Sequence, residues 1–275
     1  MTVTPFHPSS RARDTGGRPP ARRGVPLLDL DPELGRLLAG ERLAAARREL
    51  LAPVVGLARG EWAARELAVV RDDHVGLLVL DGVIAREVVL EDTTSTELLG
   101  PGDLLRPRAS ERPVTLLPRH VRWQVLADAR LALLTYSFGQ VLLRFPEVNA
   151  MLMERLAARC ERIATAKAIA ELNSVERRLL ALFWHLAEEW GRVTPDGVLV
   201  PLTLSHRLLG ELVGARRPTV STAIMSLARD GKLRRRHDGA WLITADRAGE
   251  RARDSLRVIP HRRRVLVDEE LAAPG

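Results

Sequence analysis

Leu204-Ser205-His206-Arg207-Leu208-Leu209-Gly210-Glu211-Leu212-Val213-Gly214-Ala215-Arg216-Arg217-Pro218-Thr219-Val220-Ser221 is the stretch on which the reading of this chain turns. Ser205 stands where an N-cap hydroxyl is needed, ahead of a short helix whose apolar side is Leu208, Leu209, Leu212 and Val213. Gly214 ends that helix, because a residue without Cβ takes the positive φ of a sharp turn at little cost. Gly210 is costly inside a helix unless a crossing helix must approach closely, which two helices joined by a tight turn require. Ala215 and Arg216 complete the turn. A second helix opens at Arg217-Pro218-Thr219, where proline is tolerated in the first turn. Val220, Ile224 and Leu227 are predicted to face inward, leaving Arg217, Thr219, Ser221, Thr222 and Met225 on the outer side. Short donors and an arginine at the front of such a helix suit the major groove of DNA, about 12 Å wide.

Downstream, Asp230-Gly231 closes the second helix. Leu233 to His237 and Ala240 to Thr244 are predicted as two strands about the turn Asp238-Gly239. Arg234 and Arg236 share one strand face and suit the phosphate backbone, whereas alternation turns Arg235 away. Upstream, Ser174 caps a helix running to Trp190 and ended by Gly191, with Leu179, Leu182, Phe183 and Leu186 as its core side. Trp184 and His185 read as packing or surface residues. Helix, turn, helix and hairpin in this order make a winged helix. The residues expected at DNA are Ser205, Arg216, Arg217, Thr219, Ser221, Thr222, Met225, Arg234 and Arg236.

On the stretch Leu204 to Ser221 the chain resembles the CRP/FNR family of bacterial regulators, with its leucine, capping Ser or Thr, Val-Gly turn and Arg-x-Thr-Val-Ser helix. The resemblance implies an α+β architecture: an N-terminal β-roll of the cyclic-nucleotide-binding type, a long dimerisation helix, and a C-terminal winged helix-turn-helix. It further implies a homodimer on a pseudo-palindromic site in double-stranded DNA, and contact with RNA polymerase, to which no residue is assigned.

The rest of the sequence fits that order. After Pro146 a helical pattern runs for some 27 residues, with Val148, Leu152, Leu156, Ile163 and Ala170 as a broken apolar stripe. A helix of that length overshoots a small β-domain, and a second copy of itself is the economical partner. A helix lying across its own domain stays open, because Arg155 and Arg159 interrupt a coiled-coil seam. Ahead of it, β-rich runs at Val75 to Leu80, Val83 to Leu90 and Val121 to Leu126 are separated by Asp81-Gly82, Gly100-Pro101-Gly102-Asp103 and Pro118, as in a β-roll or sandwich. Pro32 to Leu51 carries helical spacing, broken at Gly40. The expected division is a disordered basic tail over 1–26, a β-roll sensory unit over 27–145, a dimerisation helix over 146–172, a DNA-binding unit over 173–247 and a tail over 248–275.

Charge follows the same division. The chain of 275 residues carries a formal +7, and at that length two cores are expected. Residues 197–247 hold nine Arg or Lys against four Asp or Glu, and residues 1–26 five against one, while the middle is slightly acidic. A basic C-terminal region suits phosphate neutralisation, although only Lys167 and Lys232 are lysines, so arginine bias contributes. The tail arginines Arg257 to Arg264 read as a solvated extension. No apolar run is long enough to span a membrane and the N-terminus has no apolar signal segment, so a cytoplasmic protein is expected.

Cofactors are read from what is missing. After Pro101-Gly102-Asp103 comes Leu104-Leu105-Arg106-Pro107, without the Gly-Glu pair and following Arg-Ser or Arg-Thr of the family's cyclic-nucleotide binders, so a cyclic nucleotide is not expected. Arg106 and Arg122 read as exposed arginines. Cys160 is the single cysteine, too few for an iron-sulfur cluster. His74 with Cys160 reads as a turn histidine and a buried thiol rather than as haem ligands. No metal site is expected, because the seven histidines lack ligand spacing, and no nucleophile motif occurs, so an enzyme is not expected. The alternatives are a metal-dependent enzyme built on the β-roll and a winged-helix protein-interaction module. The effector is left unknown.

Overall fold

The computed structural model describes residues 24–63, 74–107 and 116–244. Of the tails expected over 1–26 and 248–275, residues 1–23 and 248–275 lie outside the described residues, whereas Val25 and Pro26, expected to be disordered, form a paired strand. The described chain begins with β1 (Val25–Pro26), α1 (Leu27–Leu30), a 3-10 turn (Pro32–Gly35), α2 (Gly40–Glu49) and β2 (Leu51–Ala52), which pairs with β1. The helical segment expected over Pro32 to Leu51 is two pieces parted near the expected break at Gly40, and Leu51 itself lies in β2. Gly40, at φ +53°, is the residue at which the chain turns into α2.

A six-stranded antiparallel sheet forms the roll. It comprises β3 (Val54–Leu57), β4 (Gly60–Glu61), β5 (Gly76–Leu90), β6 (Thr93–Leu99), β7 (Leu104–Leu105) and β8 (His120–Leu134), in the order β3-β8-β5-β6, with β4 on β8 and β7 on β5. The two strands expected on either side of Asp81-Gly82 are one continuous strand. The pairing of β5 with β8 shifts register between Val79 and Ile84, so Asp81-Gly82 makes a bulge instead of a turn. Gly82 (φ +86°) is required there, since a Cβ would stand 2.4 Å from the Asp128 carbonyl oxygen. Strand β8 also runs well past the expected Leu126, with Arg130 Nε bonded to Asp81 Oδ2 at 2.5 Å across the bulge. Leu77, Val79, Ile84, Leu99, Trp123, Val125 and Leu131 fill the interior of the roll.

After β8 come α3 (Tyr136–Leu142) and α4 (Pro146–Ala170). Helix α4 buries Val148, Met151 and Leu152 against α1, α2 and α3. Beyond them three arginines fasten it to the roll. Arg155 pairs with Asp31, Nη2 to Oδ1 at 2.8 Å; Arg159 grips both oxygens of Glu97 at 2.6 and 2.8 Å and donates to Leu104 O; and Arg162 donates to the buried Asp103. Asp103 is itself fixed by the Gly100 N–H at 2.9 Å. Arg155 and Arg159 therefore leave the outer face clear rather than interrupting it. That face carries Asn149, Met153, Leu156, Cys160, Ile163, Lys167 and Ala170 at alternating steps of four and three, with Met153 50% and Ile163 46% exposed. Cys160 is exposed, not a buried thiol, and His74 is buried.

The C-terminal part consists of α5 (Val175–Trp190), β9 (Arg192–Thr194), β10 (Gly197–Val200), α6 (His206–Val213), α7 (Arg217–Arg229), β11 (Leu233–Arg235) and β12 (Trp241–Ile243). Its four strands form one antiparallel sheet in the order β11-β12-β10-β9. Sequence reasoning missed the β9–β10 hairpin, although Pro195-Asp196-Gly197 between alternating residues was a usable signal. Two separate cores were expected, but the C-terminal core does not stop at its own elements. Val83, Ala85 and Leu98 of the roll belong to the same apolar cluster as Leu182, Leu186 and Trp190 of α5. Gly100 allows this, because a Cβ there would lie 3.0 Å from the Trp190 ring.

Candidate nucleic-acid interface

Local chemistry sets the two helices of the interface. The Ser205 hydroxyl accepts the Leu208 N–H at 3.2 Å, capping α6. Gly214 ends α6 in the left-handed region (φ +64°, ψ +44°), and Arg216 enters α7 in extended conformation with Pro218 in the first turn. At Gly210 a Cβ would stand 2.4 Å from the Ala215 carbonyl oxygen, so the glycine sets how closely the turn folds back. Arg178 on α5 completes the frame. Its guanidinium donates to Leu172 O at 2.6 Å and to Val213 O and Gly214 O at 3.3 and 3.4 Å, satisfying carbonyls that the end of α6 leaves open. Nothing in the sequence gives Arg178 this role, since only the folded turn brings position 213 to it.

Helix α7 buries Val220, Ala223 and Leu227, and Ile224 is half-buried. The inner line is therefore i, i+3, i+7 in place of the expected i, i+4, i+7. Arg216, Arg217, Thr219, Thr222 and Met225 are exposed, Met225 at 60%. Ser221 is half-buried. Its hydroxyl donates to Arg217 O at 3.1 Å, and its Oγ lies 2.9 Å from His206 Nδ1, tying α6 to α7. That pattern calls for the His206 tautomer with the proton on Nδ1. Burial, and then the charges of Arg235 and Arg217, hold the His206 pKa below its ordinary value. The Thr222 hydroxyl donates to Pro218 O at 3.3 Å. Ser205 is exposed beside the start of α6.

The wing is shorter in strand than expected. The register pairs Arg235 with Trp241, and the Arg236 N–H bonds to Ala240 O at 2.8 Å, so Arg236 belongs to the connecting turn and not to a strand face shared with Arg234. Both remain exposed, and Arg236 Nε lies 3.4 Å from Asp238. The Arg235 guanidinium stands 5.6 Å from the centre of the Trp241 ring, packing over it. Trp241 is itself buried against Phe183, with ring centroids 4.9 Å apart. The outcome is an exposed helix flanked by exposed arginines on the wing.

Other expected features fall elsewhere. Arg122 is exposed, as expected, and pairs with the buried Glu87 at 2.8 Å. His185 lies within 3.4 Å of Glu188 on the same helix. Among the described residues no three His, Cys, Asp or Glu side chains are grouped to hold a metal, and no helix is long and apolar enough to cross a membrane.

Residues 177–249 match the Crp-like helix-turn-helix domain. The chain is 28% identical over 96 residues to the global nitrogen regulator of Synechocystis, and 29% identical over 96 residues to that of Synechococcus elongatus; each match covers 34% of this chain. The chain spans about two-fifths of the length of these curated relatives, 41% and 42% respectively. In fold it is similar to a CooA variant from Carboxydothermus hydrogenoformans (TM-score 0.56, 16% identity, 81% of this chain and 94% of that one). It is equally similar to a cyclic nucleotide-binding domain containing protein from Listeria monocytogenes (TM-score 0.56, 16% identity, 78% and 97%).

Proposed function

Because this chain has the architecture of the CRP/FNR-type regulators and carries their Crp-like helix-turn-helix over residues 177–249, we propose that it regulates transcription as a homodimer on a pseudo-palindromic operator. The observation that carries this reading is the exposed front of α7, where Arg216, Arg217 and Thr219 project from a helix whose entry angle is fixed by Gly210, Gly214 and Arg178. A helix presented this way enters the major groove with its first turn against base edges. Thr222 and Met225 lie further along the same exposed side, Ser205 sits at the phosphates beside α6, and Ser221 sets the position of α7 through His206. Arg234 and Arg236 reach the flanking phosphates. The outer stripe of α4 supports the dimer, because its alternating spacing is that of a coiled-coil seam. On this reading residues 27–145 form the sensory unit, 146–172 the dimer helix and 173–247 the DNA-binding unit. The protein works in the cytoplasm, with RNA polymerase as the partner that reads its position on DNA.

Operator selection from a random duplex pool, followed by gel-shift titration, tests the proposal. The selected site is expected to have two-fold symmetry, and Arg217→Ala is expected to cost roughly tenfold or more in affinity, the worth of one good base contact of about 1–3 kcal/mol. Selection of no sequence, or an Arg217→Ala protein with unchanged affinity and selectivity, refutes the assignment.

A further inference from the structure

A cavity of about 380 Å³ lies where the roll, α4 and the C-terminal part meet. Its walls come from β5 and β6 on one side, the last turns of α4 on a second, and α5 with α6 and Gly214 on the third. None of residues 100–107 lines it, so it is separate from the segment after Pro101-Gly102-Asp103 considered above. The size is that of a small-molecule site, which is at least about 300 Å³.

The lining defines the kind of molecule that fits. Val88, Leu98, Ile163, Leu182, Leu186 and the Trp190 ring supply an apolar interior. Most charged groups at its edge are already committed: Arg162 to Asp103 and, at 3.9 Å, to Glu189; Arg86 to Glu97 at 3.7 Å; and Glu211 to Thr96 Oγ1 at 3.0 Å and to Arg207. Lys167 is different. It lines the cavity from the last turn of α4, is exposed, and makes no ion pair among the described residues. It also occupies a seam position of the α4 stripe, where a lysine costs coiled-coil stability unless its charge is met. An apolar chamber whose rim holds one cation uncommitted among the described residues matches an apolar body ending in a single anionic group.

We propose that this cavity binds an apolar monocarboxylate, its carboxylate on Lys167 and its body against Leu186 and Trp190, and that occupancy clamps the winged helix to the roll. The second part follows from where the walls lie. Besides the ligand, α6 is tied to the roll by the Thr96–Glu211 hydrogen bond and by Arg207, which reaches Glu87 at 3.6 Å. A molecule that touches both sides binds only where they are together, and so favours the docked arrangement. Binding is read without DNA, so its failure and the failure of the operator reading are distinguishable. The part played by the seam rests on the dimer proposed above.

Decanoate, used below its micelle concentration, is the probe. Calorimetric titration of the full chain is expected to show one decanoate per chain, with decanol at least tenfold weaker. Lys167→Gln is expected to bring decanoate down to the affinity of decanol. Ala166→Leu, which fills the cavity from α4, is expected to abolish binding while leaving the thermal melt in place. Hydrogen exchange of the α6 amides is expected to slow at saturating decanoate in the unaltered chain. Absence of binding, equal binding of decanol, or unchanged affinity in the Lys167→Gln protein overturns the site. Binding with unchanged α6 exchange overturns the clamp. Should Ala166→Leu unfold the protein, the Lys167→Gln and decanol arms decide alone.

Discussion

Gly210 and Ala215 approach so closely that a single added methyl on Gly210 would stand 2.4 Å from the Ala215 carbonyl oxygen. The contact is to backbone, which cannot rotate aside as a side chain does. Gly210→Ala is therefore expected to destabilise the C-terminal part by about 1–3 kcal/mol through overpacking, although alanine is the better helix former by up to about 1 kcal/mol. Urea denaturation followed at the tryptophans checks this; a midpoint equal to or above that of the unaltered chain would show that the turn can open freely.

The wing arginines differ in freedom. Arg234 is exposed and free of any ion pair among the described residues, whereas Arg236 has Asp238 within 3.4 Å. Replacing Arg234 by Gln is expected to reduce the slope of log affinity against log salt by about 0.9 per chain, one phosphate contact. Arg236→Gln is expected to reduce it by less, because part of its charge is already met. Equal and unchanged slopes in both variants would remove the wing from the interface.

His206 gives the winged helix a pH dependence of known sign. Its folded-state pKa is held below the ordinary value by burial and by Arg235 and Arg217, so the unfolded chain takes up the proton first as pH falls. Stability from this group is full above the unfolded value of about 6.5 and declines as pH drops through the window beneath it. Thermal melts between neutral and mildly acidic pH are expected to show that decline, and His206→Gln is expected to lessen it. An identical pH profile in the variant would mean that another group carries the effect.

Met153 and Ile163 stand half-exposed on the seam side of α4, at 50% and 46%. Changing both to Glu is expected to leave the chain folded but monomeric by sedimentation, and to weaken operator binding by at least tenfold, since each half-site then binds alone. A doubly substituted protein that sediments as the unaltered chain does would place the dimer contact elsewhere.

The winged helix was legible in the sequence because its determinants are local. Ser205, Gly214 and Pro218 each act within a few residues, and the folded chain uses each in the expected sense, with the inner line of α7 moved from Ile224 to Ala223. The roll was legible in kind but not in its joints. Asp81-Gly82 has the composition of a hairpin turn, yet the strand runs through it, because the neighbouring backbone at Asp128 and Ala129 occupies the space on one side of Gly82. The union of roll and winged helix was not legible at all. Thr96 and Glu211 lie 115 residues apart, and nothing near either announces the other. Arg155 and Arg159 were legible as an interruption of apolar spacing, but their carboxylate partners Asp31 and Glu97 are distant in sequence, and only those partners show which face of α4 the arginines belong to.

Arg155, Arg159 and Arg162 of α4 fasten it at points drawn from separate parts of the chain before it: Asp31 among the N-terminal helices, Glu97 on β6 and Asp103 before β7. The three arginines are spread over seven helical steps, roughly 10 Å of axis. A rod bolted at three such points resists spinning, so the azimuth at which Met153, Cys160 and Ile163 would meet the second chain of the proposed dimer is dictated by the shape of the roll. In a two-fold assembly any twist of that rod is duplicated by its mate, and the separation of the two reading helices changes by the sum of both. A distortion of the roll too slight to alter its own strands would thus arrive at the operator doubled, as a mismatch in half-site spacing.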